Sequence, residues 1–366
     1  MTQTIRDDRR SRVLRWFGFR NASALWVLLA IFIIFSITIP RTFLSPRTWT
    51  SLLDAQAVVA IAAIGLVIPL AAGAFNLAVG AQVGVASIFI GWLLVNVGMP
   101  IPLAIGLTIL FAAAIGLVTG LVIVRFRIDS FIATMGISSL LAATVTLISG
   151  GRQILGMPTE LVDFGTGRVL GMTFPFLVMI ALAFIVWYVL ERTPLGRRIY
   201  ATGGNPEAAR LSGVKVGAIV VGSLVACGVL TGIAGIIVTS RLGNADPTIG
   251  PAYLLPAFTA AFLGSTQFRG GRFNVWGTVL SVYVLAAGVK GLQLSGAPTW
   301  IPDAFNGLAL LVAVGLASSV RIAGRPSLLD RLRSRRSAAA TEESVPEGSD
   351  AGADAEKSPV DSGAKS

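Results

Sequence analysis

The chain has 366 residues, of which 54% are hydrophobic and only 13% are charged, and its formal net charge is +11. Its mean hydropathy is +0.79. A soluble globular domain carries about 25% charged residues, so the composition excludes an ordinary soluble protein and predicts a polytopic helical membrane protein. Arginines that flank membrane spans explain the basic excess better than nucleic-acid binding does. There is no histidine, and the single cysteine, Cys227, can make no intramolecular disulfide and gives no metal site.

Apolar runs along the chain predict ten membrane segments. Residues 52–96 form one apolar stretch of 45 residues. Because one span needs about 20 residues, this must be two spans or a span plus a broken helix, with the break marked by Pro69, Gly73 and Gly80, and we count it as two segments. The other eight segments are Ala24–Ile39, Leu103–Val124, Phe131–Ile148, Phe174–Leu190, Val216–Thr239, Pro251–Gly264, Phe273–Leu292 and Trp300–Val320. We expect short or irregular loops at Pro40–Trp49 and Gly150–Gly171, and a polar loop at Ser240–Gly250.

The basic residues predict the orientation of these spans. With both termini in the cytoplasm, 23 of the 29 lysines and arginines fall on the cytoplasmic side and 6 on the other. Cytoplasmic loops carry such an excess. We therefore expect three parts: a basic cytoplasmic segment at 1–20, a transmembrane domain at 21–322, and a basic, then acidic cytoplasmic tail at 323–366.

The composition of the tail predicts disorder. Residues 337–366 have seven acidic side chains and no aromatic one, so they cannot bury enough apolar surface to fold; a regulatory tail is the alternative. The arginines just before this stretch are expected to bind anionic headgroups of membrane lipids.

The chain contains no signature of catalysis. It has no G-x-x-x-x-G-K-[ST] phosphate loop, so we predict that it is not an enzyme and needs no cofactor. Energy for any transport must come from an ion gradient or from another subunit. Ionisable residues within or near the spans are sparse (Asp54, Lys290 and Asp303), which disfavours the alternative of a stand-alone ion-coupled carrier of a small polar solute.

The predicted break offers candidate residues for a solute pathway. Interrupted membrane helices are tolerated where their free backbone groups line a cavity or are buried, and transporters place substrate sites there. The candidates are Asn76, Gln82, Phe75 and Gln56. The neutral amides of Asn76, Gln82 and Gln56 suit an uncharged polyhydroxylated solute; alternatively, Asn76 caps a plain helix–helix turn.

Residues 191–215 form a polar island between two spans, and they contain a short helix with both ends marked. Asn205 is a good N-cap, Pro206 suits the first helical position, and Gly213 can adopt a left-handed stop. The predicted helix comprises Asn205, Pro206, Glu207, Ala208, Ala209, Arg210, Leu211, Ser212 and Gly213. We interpret it as a docking element for a partner protein.

The polar island from Thr193 to Val214 resembles the cytoplasmic loop of ribose- and xylose-type ABC sugar importer permeases. The stretch Ala72–Gly80 resembles that family's A-G-x-F-D-L-S-V-G pattern, and Phe131–Gly136 and Ala257–Arg272 are also similar. The resemblance covers about residues 50–320. Two positions depart from it, since Asn76 replaces the family's usual Asp and Ala78 its usual Ser.

The resemblance implies a set of partners. These are a cytoplasmic pair of ABC ATPase subunits, an extracytoplasmic binding protein that delivers a monosaccharide, and a second copy of the permease or a sister permease. In this arrangement residues 205–213 are the coupling helix held in a groove of the ATPase. A nucleoside or a signalling furanose would suit the same polar side chains. Closure of the ATPases on ATP binding would switch the pathway between inward and outward access.

Overall fold

The computed structural model describes residues 32–169, 171–266 and 271–323. These residues are almost entirely helical. The predicted basic segment 1–20 and nearly all of the predicted tail lie outside the described residues, and the predicted first span is described only from residue 32, with residues 32–38 helical. The all-α polytopic class is therefore confirmed for the described part of the chain.

Thirteen helices are labelled within the described residues. Their bounds are α1 (Pro40–Phe43), α2 (Pro46–Ala71), α3 (Val79–Gly91), α4 (Ile101–Phe126), α5 (Ser130–Ser149), α6 (Thr159–Thr166), α7 (Phe174–Arg192), α8 (Pro194–Gly204), α9 (Pro206–Leu211), α10 (Val216–Leu242), α11 (Pro251–Ser265), α12 (Val275–Leu294) and α13 (Ile301–Ala323). A π-helical turn, Trp92–Asn96, continues α3. Two short antiparallel strands, β1 (Arg168–Val169) and β2 (Met172–Thr173), pair between α6 and α7, with Arg168 opposite Thr173.

Seven helical segments of the described residues are long and apolar enough to cross a membrane. They are α2, α3 with its π turn, α4, α5, α7, α10 and α12. Each corresponds to a predicted span. The count of ten spans stays a prediction, since α11 and the apolar part of α13 are shorter than the other apolar helices. The orientation of the spans also stays a prediction.

Two of the predicted loops are wrong because prolines and tertiary packing start helices there. Pro40–Trp49 is mostly helical, since α1 and α2 each begin with a proline and Ser45 caps α2 by accepting from the Thr48 N–H at 3.2 Å. Gly150–Gly171 contains α6 and β1. Helix α6 forms because Leu161 is buried and because Gly165 lets its backbone lie against Ser240 of α10.

The core is built around α2 and α10, which lie side by side in opposite directions. Asp54, near the start of α2, makes an ion pair at 2.9 Å with Arg241, near the end of α10, whereas Gly65, far along α2, lies against Leu230 near the middle of α10. Helix α4 packs on the other side of α10 through glycines that allow close approach of the backbones: a Cβ on Gly120 would lie 2.8 Å from the Val221 Cα.

Helices α3 and α11 both begin partway across the fold. The first turn of α3 lies beside the middle of α10, and its end contacts Ala245 beyond the end of α10. Helix α11 begins against α3, since a Cβ on Gly80 would lie 2.7 Å from the Gly250 carbonyl oxygen, and it runs the opposite way to pack on the start of α12 through Gly264. The start of α3 and the start of α11 therefore meet inside the core.

Two loops are joined at the end of the fold where α10 finishes. Ile154 and Ala245 exchange backbone hydrogen bonds, each of 3.0 Å, and the Gln153 side-chain amide donates to Asp246 at 2.9 Å. The backbone N–H and the hydroxyl of Thr248 also donate to Asp246, and these bonds lower the pKa of its carboxyl below the ordinary value of 3.8.

Candidate functional site

The chain between α2 and α3 is the predicted break, and residues 72–78 are not helical. Pro69 lacks an N–H and weakens the last turn of α2. Gly73 then takes a left-handed backbone with φ of +83°, which a residue with a side chain would adopt only under strain. Asn76 directs the chain into α3, since its Oδ1 accepts from the Ala78 N–H at 3.1 Å. The prediction of an interrupted helix is confirmed.

A buried polar network holds the break against α10. The Asn76 amide donates to Gln82 Oε1 at 3.2 Å and to the Cys227 sulfur at 3.3 Å, and the Thr231 hydroxyl donates to Gln82 Oε1 at 3.3 Å. Asn76, Gln82, Cys227 and Thr231 are all fully buried. Cys227 and Thr231 are four residues apart on α10, so they lie on one face of that helix. The network is uncharged, and it fixes the start of α3 to the middle of α10.

One donor of this network has no partner among the described residues. Gln82 Nε2 is buried and makes no hydrogen bond there. Leaving a buried donor unpaired costs about 1–3 kcal/mol. The network is therefore not saturated, since within the described part of the chain this amide is a free donor.

The other two candidate pathway residues lie elsewhere. Phe75 is 40% exposed, and its N–H donates to the Ser130 hydroxyl at 3.0 Å, so it faces outward at the α5 side of the break. Gln56 is 15 residues before the end of α2, about 22 Å along the helix. The structure thus brings Asn76 and Gln82 together, but not Gln56 or Phe75 with them.

Gln56 instead lines a cavity of about 280 Å³ between α2, α11, α12 and α13. The lining has four further polar side chains, Ser51, Lys290, Gln293 and Asn306. The sequence indicated Lys290 only as an ionisable residue near a span, and it assigned none of the four to a site. The only sequence signal that links any of them is the three-residue spacing of Lys290 and Gln293, which puts both on one face of α12.

The predicted docking element forms helix α9, at the opposite end of the fold from this cavity. Asn205 caps it as expected, since its Oδ1 accepts from the Ala208 N–H at 3.1 Å, and Gly213 takes the left-handed stop at φ +81°. Ala209 is buried, whereas Leu211 is 89% exposed. Glu207 and Arg210 pair at 3.6 Å on the exposed side, which also carries Pro206, Ala208 and Ser212.

Helix α8, which precedes α9, was not predicted, although Thr193 and Pro194 repeat the cap-then-proline signal of Asn205 and Pro206. It connects the docking element to the break. The backbone of Gly203 lies directly on the end of α2, and a Cβ there would be 2.9 Å from the Gly73 nitrogen. The Tyr200 hydroxyl donates to the Phe273 carbonyl oxygen at 2.7 Å, and so ties α8 to the chain before α12.

The described residues contain no cluster of three or more potential metal ligands. Their one ion pair between distant elements, Asp54 with Arg241, lies at the end of the fold that also carries the cavity. The Arg241 guanidinium donates through two nitrogens to Asp54 Oδ2, at 2.9 and 3.1 Å. This pair links α2 to α10 and has the geometry of a structural contact.

Comparison with known proteins identifies the family. The family described as "Branched-chain amino acid transport system / permease component" matches residues 50–314. A ribose import permease protein of Bacillus subtilis is 35% identical over 289 residues, covering 78% of this chain and 89% of the relative. One from Escherichia coli K12 is 32% identical, covering 86% and 97%. An autoinducer 2 import system permease protein of Yersinia enterocolitica is 30% identical, covering 72% and 81%.

No solved structure gives a significant match to the chain. The family match spans most of the transmembrane body, and it includes the break, α8 and α9. The chain therefore belongs to this family of ABC importer permeases and is a multi-pass protein of the cell membrane.

Proposed function

We propose that the chain forms half of the solute pathway of a sugar importer, paired with a second copy of itself or with a sister permease. Cytoplasmic ABC ATPase subunits drive the movement, and an extracytoplasmic binding protein delivers the solute. Support comes from the relatives, which are named for import of ribose and of autoinducer 2. Monosaccharide-sized polyhydroxylated molecules fit the neutral amides of this chain.

We also propose that α9 is the coupling helix. The observation that carries this proposal is that a capped six-residue helix presents Leu211, 89% exposed, at one end of the fold. In this proposal the ATPase covers that leucine and the exposed side of the capped helix. The ATPases then lie on the side of α8 and α9, which makes this the cytoplasmic side and agrees with ten spans and cytoplasmic termini.

Movement of α9 reaches the pathway through α8. Gly203 of α8 touches the end of α2 and the start of the break, so a pull on α9 acts on the segment that carries Asn76. In this proposal Asn76 and Gln82 hold the start of α3 in one of two positions, and Phe75 and Gln56 are accessible to the pathway. A rigid-body change between two such positions is the usual form of ligand-driven switching.

The test compares Leu211→Asp with Leu155→Asp in the assembled transporter. Leu155 is 64% exposed at the opposite end of the fold, so both changes put a charge at an exposed leucine. We expect Leu211→Asp to reduce co-purification with the ATPase and ATP-driven uptake at least tenfold, and Leu155→Asp to retain the ATPase. Equal ATPase retention by both variants contradicts the coupling role, and uptake by the permease alone under an ion gradient contradicts the importer.

A further inference from the structure

The cavity between α2, α11, α12 and α13 lies at the end of the fold opposite α8 and α9. Its walls come from the first half of α2, the first two turns of α11, the second half of α12 and the start of α13. Its volume of about 280 Å³ is just below the range of about 300–1,000 Å³ that drug-sized ligands occupy. The space therefore fits a smaller molecule.

The polar side chains of the lining are not committed to the protein. Apart from Ser51, they are Gln56, Lys290, Gln293 and Asn306, which come from three different helices. Among the described residues, no hydrogen bond or ion pair engages any of the four side chains; Asn306 takes part only through its backbone oxygen, which accepts from the Thr259 hydroxyl. Gln293 is exposed and the other three side chains are half-buried, so all four can meet water and are available to a ligand.

The chemistry of the lining selects a class of ligand. Each amide offers donors and an acceptor, and the lysine offers three donors, which matches hydroxyl groups that donate and accept. The lining contains one cation and no carboxylate. Apolar side chains of Leu52, Val59 and Leu285 cover the rest and suit the C–H faces of a sugar ring.

We propose that this cavity binds a polyhydroxylated solute of monosaccharide size, neutral or acidic, and that Lys290 disfavours solutes with an amino group. The proposal rests on the proposed importer function and adds where the solute is held. Helix α2 then carries the solute site near one end and the break at its other end.

The position of the cavity gives it a mechanical connection to the break. Ala252 and Pro256 of α11 line it, and α11 begins at Gly250, against Gly80 of α3. A solute that bridges α2 to α11 and α12 therefore contacts the same elements whose relative positions the break controls.

The test uses site-directed thiol labelling of the assembled transporter in lipid nanodiscs, without ATP. Cys227 is fully buried and is the chain's one cysteine, so Gln56→Cys is the target of a charged maleimide. Val97→Cys, 45% exposed outside the cavity lining, is the matched control. The probes are D-ribose, D-gluconate and D-glucosamine.

We expect ribose or gluconate to slow labelling of Gln56→Cys at least fivefold and to leave Val97→Cys unchanged, with glucosamine giving less than twofold protection. Adding Lys290→Met should raise the half-protecting concentration about tenfold, which corresponds to ~1.4 kcal/mol, whereas Lys357→Met should not change it.

Three results overturn the proposal: no labelling of Gln56→Cys, no protection by ribose or gluconate, and equal protection by glucosamine. If wild-type uptake still depends on ATP and on Leu211, each of these results rejects the solute site and leaves the proposed importer function standing. Conversely, protection of Gln56→Cys together with full activity of Leu211→Asp supports the solute site and rejects the coupling role of α9.

Discussion

Gly203 is the point at which the segment leading to the docking helix touches the interrupted helix, and Gly203→Ala tests that contact. The residue lies near the end of α8, with its backbone against Ala71 and Gly73. Gly204, the next residue, belongs to the same helix and has no atom near the position of a Cβ. Gly204→Ala is therefore a matched control that changes the same backbone chemistry one position away.

The magnitude follows from the crowding at Gly203. An added Cβ would lie 2.9 Å from the Gly73 nitrogen and 3.0 Å from the Ala71 carbonyl carbon, where ordinary contacts begin at 3.4 Å. The Ala71 carbonyl oxygen would lie closer still, so the backbone must separate by about 1 Å, because none of these neighbours is a side chain that can rotate away. Overpacking of this kind costs about 1–3 kcal/mol. Replacing a glycine in a helix by alanine also stabilises the helix by up to ~1 kcal/mol, but this gain is common to both variants and cancels in the comparison.

The assay measures thermal unfolding of the purified permease and ATP-driven uptake by the assembled transporter, for both variants. We expect Gly203→Ala to be less stable than Gly204→Ala by about 1–3 kcal/mol, and to lose uptake out of proportion to the amount of folded protein. If the two variants have the same stability and the same uptake, then the contact neither packs as described nor transmits movement.

Three other changes test contacts that lie away from Gly203. Asp54→Ala and Arg241→Ala in a double-mutant cycle should give a coupling energy of about 1–3 kcal/mol, between the values for exposed and buried pairs; additive effects would show that the partly buried pair is not formed. Asn205→Ala should destabilise α9 by about 1 kcal/mol, seen as faster hydrogen exchange at the α9 amides, and unchanged exchange would contradict the cap. Because its pKa is lowered, the ionised Asp246 carboxylate stabilises the folded state above pH 3.8, and this contribution is lost as the pH falls through the folded pKa. The difference in stability between the wild type and Asp246→Asn should therefore vanish in acid. A difference that persists or grows in acid contradicts the bonds from Thr248.

The sequence predicts those features that depend on local backbone chemistry. Pro69 and Gly73 mark the break because one lacks an N–H and the other permits a left-handed turn. Asn205 and Gly213 delimit α9 for the same kind of reason. The spans follow from the length of the apolar runs. None of these needs information from elsewhere in the chain.

The sequence does not predict which polar residues meet. Asn76 and Gln82 find their partners on α10, 151 and 149 residues later, and no local pattern specifies that pairing. Gln56 looks like part of the break because it belongs to the same apolar stretch, yet the length of α2 carries it to the cavity. Helix α6 forms against Ser240 of α10, so its stability comes from a distant helix.

Two close backbone contacts bound the break, and together they connect the two ends of the molecule. At one end Gly73 lies against Gly203 of α8, and at the other Gly80 lies against Gly250, where α11 begins. Side chains can absorb a small displacement by changing rotamer, but these four positions have no side chain to rotate. In the proposed mechanism, a displacement of α8 towards these contacts is therefore passed to the break and, through the start of α11, to Ala252 in the wall of the cavity. On this proposal, glycine at these points does more than permit close packing, because a side chain there would add compliance between α9 and the proposed solute site.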